Sequence, residues 1–120
     1  MSFFKRADTA STTEFRTPDG EDYLLLRDEL AKSEVNNLYV DSPAGDEDRR
    51  GQISFIEELM QLMIVGWSYR DENGNEVPFD VFIYRELDAQ VTSWMEKTVN
   101  EHFRKATGAD TEDVEKKPTS

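Results

Sequence analysis

Ile53-Ser54-Phe55-Ile56-Glu57-Glu58-Leu59-Met60-Gln61-Leu62-Met63-Ile64-Val65-Gly66-Trp67 holds the densest run of large apolar side chains in the sequence. Ile56, Leu59, Met60, Met63 and Trp67 recur at three- and four-residue intervals, and Glu57, Glu58 and Gln61 fall on the opposite side. That spacing predicts an amphipathic helix over Ser54 to Trp67. After Gln61 the polar side ends, because Leu62, Met63, Ile64 and Val65 cover the whole circumference of a helix. The second half of such a helix is expected to be buried on all sides, within the domain or against another subunit, so a homo-oligomer is open.

Downstream, Trp67-Ser68-Tyr69 and Val77 flank Asn73-Gly74, a dipeptide suited to a type I′ turn, and a small hairpin is expected that ends at Pro78. Asp80 is placed to cap a helix in which Phe82, Ile83 and Leu87 face inward, with Phe79 and Tyr84 as a hydrophobic staple. Asp88 offers a second cap, and Val91, Trp94, Met95, Val99 and Phe103 trace one side of a longer helix ended by Gly108.

Upstream, Thr17-Pro18-Asp19-Gly20 suits a type I turn with Gly20 in the left-handed region. It joins Phe15 on one arm to Tyr23-Leu24-Leu25-Leu26 on the other. This hairpin spans Glu14 to Arg27, and its second arm is apolar on both faces. Ser33 is a good N-cap for a short helix carrying Val35, Leu38 and Tyr39. Asp41 to Gly51, with Ser42-Pro43-Ala44-Gly45 and a charged run, reads as a loop. Residues 1–13 read as a flexible N-terminal arm, on which Phe3-Phe4 has the chemistry to dock on a partner or on the protein's own core, self-docking or no role being the stronger reading, and 108–120 as a disordered acidic tail. The expectation is one mainly α (α+β) domain over 14–107, with one or two short β-hairpins and disordered termini.

Composition narrows the function. The chain has 120 residues and a formal net charge of −12, from 26 acidic against 14 basic residues. Such a field repels phosphate backbones and anionic lipid, so neither nucleic acid nor membrane is expected as a partner. Without cysteine there is no disulfide or thiolate chemistry. The N-terminus lacks the apolar region of a signal peptide, and Leu62 to Val65 is too short to cross a bilayer, so the protein is expected to stay where it is made.

Asp71-x-Asn73-x-Asn75 resembles the start of a calcium loop, but Glu76 and Phe82 stand where glycine and a bidentate glutamate are required. His102 is the only histidine and reads as a structural residue on a helix. There is no glycine-rich phosphate loop, nucleophile elbow or zinc-protease motif. No enzyme, cofactor or metal site is therefore expected. The candidates for partner binding are Met60, Met63, Ile64, Trp67, Tyr69, Phe82 and Trp94, since methionines adapt to varied surfaces and aromatics anchor interfaces. At helical spacing the methionines and tryptophans also suit the core, which is the stronger reading for them.

Two patterns bear on a family. One is the hairpin around Pro18-Asp19-Gly20, then Tyr23 and Arg27-x-x-Leu30-x-x-Ser33-Glu34 leading into a helix. The other is Trp67-Ser68-Tyr69-x-Asp71-x-Asn73-Gly74-x-x-Val77-Pro78, followed by a helix, Leu87, and a longer helix ending near His102. Together they resemble the small tail assembly chaperones of long-tailed (siphovirus-like) bacteriophages. That resemblance implies a non-catalytic protein of the host cytoplasm. It would bind the tape measure protein and the major tail (tube) protein during tail morphogenesis, and be absent from the mature virion. Two alternatives stand beside it: an acidic nucleic-acid mimic that inhibits a host DNA-binding protein, and a virion head-tail joining component.

Overall fold

The computed structural model describes residues 6–7, 10–41 and 49–108. Phe3, Phe4, most of the expected loop and the C-terminal tail lie outside them. The described chain is a mixed α+β fold. Strands β1 (Thr12–Arg16), β2 (Tyr23–Arg27) and β3 (Ile64–Trp67) form one antiparallel sheet in the order β1-β2-β3. Four helices accompany it: α1 (Lys32–Asp41), α2 (Arg49–Met63), α3 (Val81–Arg85) and α4 (Ala89–Thr107).

The β1–β2 hairpin forms as its turn chemistry dictates. Gly20 N–H donates to the Thr17 carbonyl at 2.8 Å, and Gly20 takes φ +77°, where a side chain would be strained. β1 opens at Thr12, inside the segment read as an arm. Phe15 pairs with Leu24 across the ladder, which puts it on the same face of the sheet as Leu24 and Leu26.

The decisive segment departs from the expected helix. α2 starts at Arg49, inside the expected loop, and stops at Met63; Ile64–Trp67 is a strand on the free edge of β2. The loss of the polar side after Gln61 thus marks a change of period from helix to strand rather than a helix buried all round. Ile64 and Val65 are β-branched and Gly66 favours no helix, while β2 has an unpaired edge to satisfy.

Within this strand Leu26 pairs with Ile64, Leu25 with Gly66 and Leu24 with Trp67, so Val65 is the extra residue of a bulge. The bulge lets Ile64 and Trp67, three apart, face the same core. Val65 is left 51% exposed, against the expectation that it is buried. A Cβ on Gly66 would meet Leu25 Cδ1 at 3.1 Å, so the pairing also favours a residue without a side chain there.

Leu24, Leu26, Ile64 and Trp67 from the sheet close against Leu59, Met60 and Met63 of α2 and Met95, Val99 and Phe103 of α4, all buried. Each such side chain contributes about 1.5–3 kcal/mol when fully removed from water. α1 begins at Lys32, so Ser33 lies inside it and is not its cap. Glu34 does the capping instead, accepting from Ala31 N–H at 2.9 Å. The same carboxylate takes both ends of the buried Arg27 guanidinium, at 2.7 and 2.9 Å, which ties α1 to β2.

The second hairpin shrinks to one bridge, Arg70 to Glu76, around a different turn. Gly74 N–H donates to the Asp71 carbonyl at 3.0 Å, Gly74 has φ +81°, and no non-glycine residue described has positive φ. That is a type I turn closed by a left-handed glycine, not type I′, which needs positive φ at Asn73 as well. Asp71 Oδ1 accepts from the N–H groups of Asn73 and Asn75, both at 2.9 Å, so it serves the turn.

Asp80 and Asp88 cap α3 and α4 through Phe82 N–H and Gln90 N–H, both at 2.8 Å, and Gly108 at φ +82° ends α4. Phe79 and Tyr84 meet at a 6.2 Å centroid separation, as a staple requires. Phe82, expected inward, is 69% exposed, because a helix this short can turn only Val81, Ile83 and Tyr84 toward the core. No helix among the described residues is long and apolar enough to cross a membrane.

Candidate functional site: an aromatic cleft with an acidic rim

Where β3 ends, the chain turns away from the sheet and leaves Trp67 and Tyr69 side by side, their rings stacked at 5.3 Å. Trp67 is fixed from two further sides. Its indole N–H donates to the Val77 carbonyl at 2.7 Å, and Phe79 meets it edge-on at 4.9 Å. The Asp71–Asn75 turn therefore serves to return Val77 and Phe79 to the back of Trp67.

The first turns of α4 and the residues before it form the opposite wall, with Leu87, Val91 and Trp94. Leu24 and Met95, both buried, lie beneath. The space between holds about 290 Å³. Its mouth carries Thr17, Asp22 and Asp88, and among the described residues its lining includes no lysine, arginine or histidine. Asp22 is positioned by Ser68, whose hydroxyl donates to Asp22 Oδ1 at 2.9 Å and accepts from Tyr23 N–H at 3.1 Å. Asp88 is held by its capping bond to Gln90.

Of the seven residues expected to bind a partner, Trp67, Tyr69 and Trp94 line this cleft, although they lie on different elements. Met60, Met63 and Ile64 do not reach the surface; they are interior packing. Trp67 is itself mostly buried and offers the cleft only a small part of its ring. Phe82 is the most exposed aromatic of the set but is not among the lining residues, and Arg85 sits over its ring at 5.2 Å. Tyr23, Leu87, Asp22 and Asp88 were not expected at a site. Their convergence depends on β2 pairing with β3, which no local pattern announces.

Two polar clusters lie elsewhere. Asp28, just past β2, accepts from Ser11 Oγ at 2.8 Å and Thr13 Oγ1 at 2.6 Å, and lies 2.9 Å from His102 Nε2 of α4. The Thr13 hydroxyl, with help from Ser11 and His102, holds the Asp28 carboxyl below its ordinary pKa. His102 also meets Phe15 edge-on at 5.0 Å, so it is a tie between helix and hairpin rather than a free surface histidine. Beside α3, Glu57 makes a forked pair with Arg85 at 2.8 and 2.7 Å, and Tyr84 donates to Glu96. Burial, with that carboxylate beside it, raises the Tyr84 pKa.

Neither a family model, a curated protein nor a solved structure matches the chain. Among the described residues no group of three or more His, Asp or Glu is placed to hold a metal ion. What the arrangement can do chemically is take up an apolar side chain in the cleft while presenting carboxylates to whatever flanks it.

Proposed function

We propose that the chain is a non-catalytic assembly chaperone of bacteriophage tails. It binds apolar segments of the tape measure and tail tube proteins in the host cytoplasm and leaves before the virion is complete. The observation that carries this reading is the open aromatic cleft on a strongly acidic domain. A chaperone needs accessible apolar surface to cover a client, and enough like charge to keep the pair in solution. The first hairpin, the Trp67–Tyr69 stretch and the longer capped helix, all parts of the pattern that carries the family resemblance, also build the cleft walls.

Co-expression with the tape measure protein of the same phage tests the proposal. The tape measure protein should stay soluble and co-purify with this chain. Failure of both would sink the reading. Recovery of the chain from purified virions would favour the head-tail joining alternative instead.

A further inference from the structure

We infer that the cleft between Trp67-Tyr69 and α4 takes one large apolar side chain of a partner segment that carries lysine or arginine beside that anchor. This deepens the chaperone proposal and rests on it for the partner's identity, but its chemistry is argued from the cleft alone.

Size sets the first condition. A space of about 290 Å³ lies at the small end of ligand pockets, which run from roughly 300 to 1,000 Å³, so it admits a side chain and not a helix face. Its walls of Tyr69, Leu87, Val91 and Trp94 are apolar, so the entering group is aromatic or a large aliphatic. Charge sets the second condition. The mouth carries Asp22 and Asp88, both exposed, and among the described residues no cation is part of the lining; Arg16, over the Tyr23 ring at 5.6 Å, is already paired with Glu14 at 2.7 Å. A cation beside the anchor would meet two carboxylates, while an acidic flank would be repelled at the mouth and by the −12 of the whole chain. The same repulsion acts between two copies of this chain, so a basic segment of another protein fits better than self-association.

The protein supplies its own reporters. It has 2 tryptophans, and both line the cleft. The probe is a synthetic peptide with one phenylalanine followed by two lysines in a serine-glycine frame. Two control peptides carry glutamates for the lysines, or serine for the phenylalanine. Titrated into the full-length protein, the first should shift the indole resonances saturably. The glutamate control should bind at least about fivefold more weakly, the effect expected of two rim-exposed charge pairs, and the serine control should also bind at least about fivefold more weakly because it has lost the buried anchor.

Asp22→Asn and Asp88→Asn remove charge, and asparagine keeps the α4 cap, so the fold is preserved and circular dichroism verifies it. The double variant should lose most of the preference for lysine over glutamate, keeping only the part due to the net charge of the rest of the chain. Equal binding of all three peptides, unmoved indoles, or an unchanged preference in the double variant would each overturn the inference. So would indole shifts on deleting residues 1–9, which would mean that the chain's own Phe3-Phe4-Lys5-Arg6 fills the cleft. If the peptide binds as stated but the tape measure protein does not co-purify, the cleft assignment stands and the chaperone reading falls. If co-purification survives and the peptide fails, the reverse holds.

Discussion

Asp28 shows how much one side chain can tie together here. Its carboxylate takes hydroxyls from two residues at the start of the hairpin and faces the only histidine of the chain, so it joins β1, β2 and α4 at the end of the sheet away from the cleft. Asp28→Ala should cost about 2 kcal/mol at pH 7 in urea denaturation, because a charged acceptor is lost and its donors are left unpaired. The pH dependence follows from the lowered pKa. A carboxyl with a depressed folded-state pKa stabilises the fold fully above the unfolded value of about 3.9, and that contribution disappears as pH falls through the folded value. The wild type should therefore lose stability below about pH 4 more steeply than Asp28→Ala. Parallel acid limbs for the two proteins would remove Asp28 from this role.

At the scale of elements, the turn from α2 into β3 organises the fold. Val65, the bulge residue, is half exposed, whereas its neighbour Ile64 is buried against the sheet. Val65→Lys should change stability by no more than about 0.5 kcal/mol. Ile64→Lys places an unpaired charge in the core and should cost about 4 kcal/mol or prevent folding. A helix continuing through Trp67 with no free face would make both substitutions severe, so thermal melts of the two variants separate the alternatives.

Much of this level was legible in the sequence. Pro18-Asp19-Gly20, the caps Asp80 and Asp88, the Phe79–Tyr84 staple and Gly108 are local chemistry, and each formed as its residues require. The helix-to-strand change was not legible, because a short apolar run has the same composition in either state. What settles it is the unpaired edge of β2, which lies far away in sequence. For the same reason the sequence offered Trp67, Tyr69 and Trp94 only as separate candidates. The pairing that gathers them is long-range, and it buries Met60, Met63 and Ile64, which share their chemistry. Ser33 misled for a different reason: the Glu34 carboxylate, already committed to Arg27, reaches Ala31 and starts α1 earlier.

For the whole molecule the excess of 26 acidic over 14 basic residues is the dominant long-range term. Two of the ion pairs described, Arg16–Glu14 and Arg70–Glu76, are exposed on both sides and offset little of it. Self-repulsion of this kind weakens a compact state and is screened within about 10 Å at 0.1 M salt. The melting temperature should therefore rise between about 0.01 and 0.3 M sodium chloride, while binding of the basic-flanked peptide weakens over the same range. A melting temperature that falls with salt would mean that attractive pairs outweigh the excess charge.

The acidic domain with one small aromatic mouth is what makes the chain a candidate chaperone. Hydrogen–deuterium exchange on the full-length protein, with and without a solubilised tape measure protein, tests that claim most directly. Added protection is expected at Ser68–Tyr69 and at Leu87–Val91, the two walls of the cleft. Protection confined to the exposed Tyr39, Val40 and Ile53, or none anywhere, would contradict it.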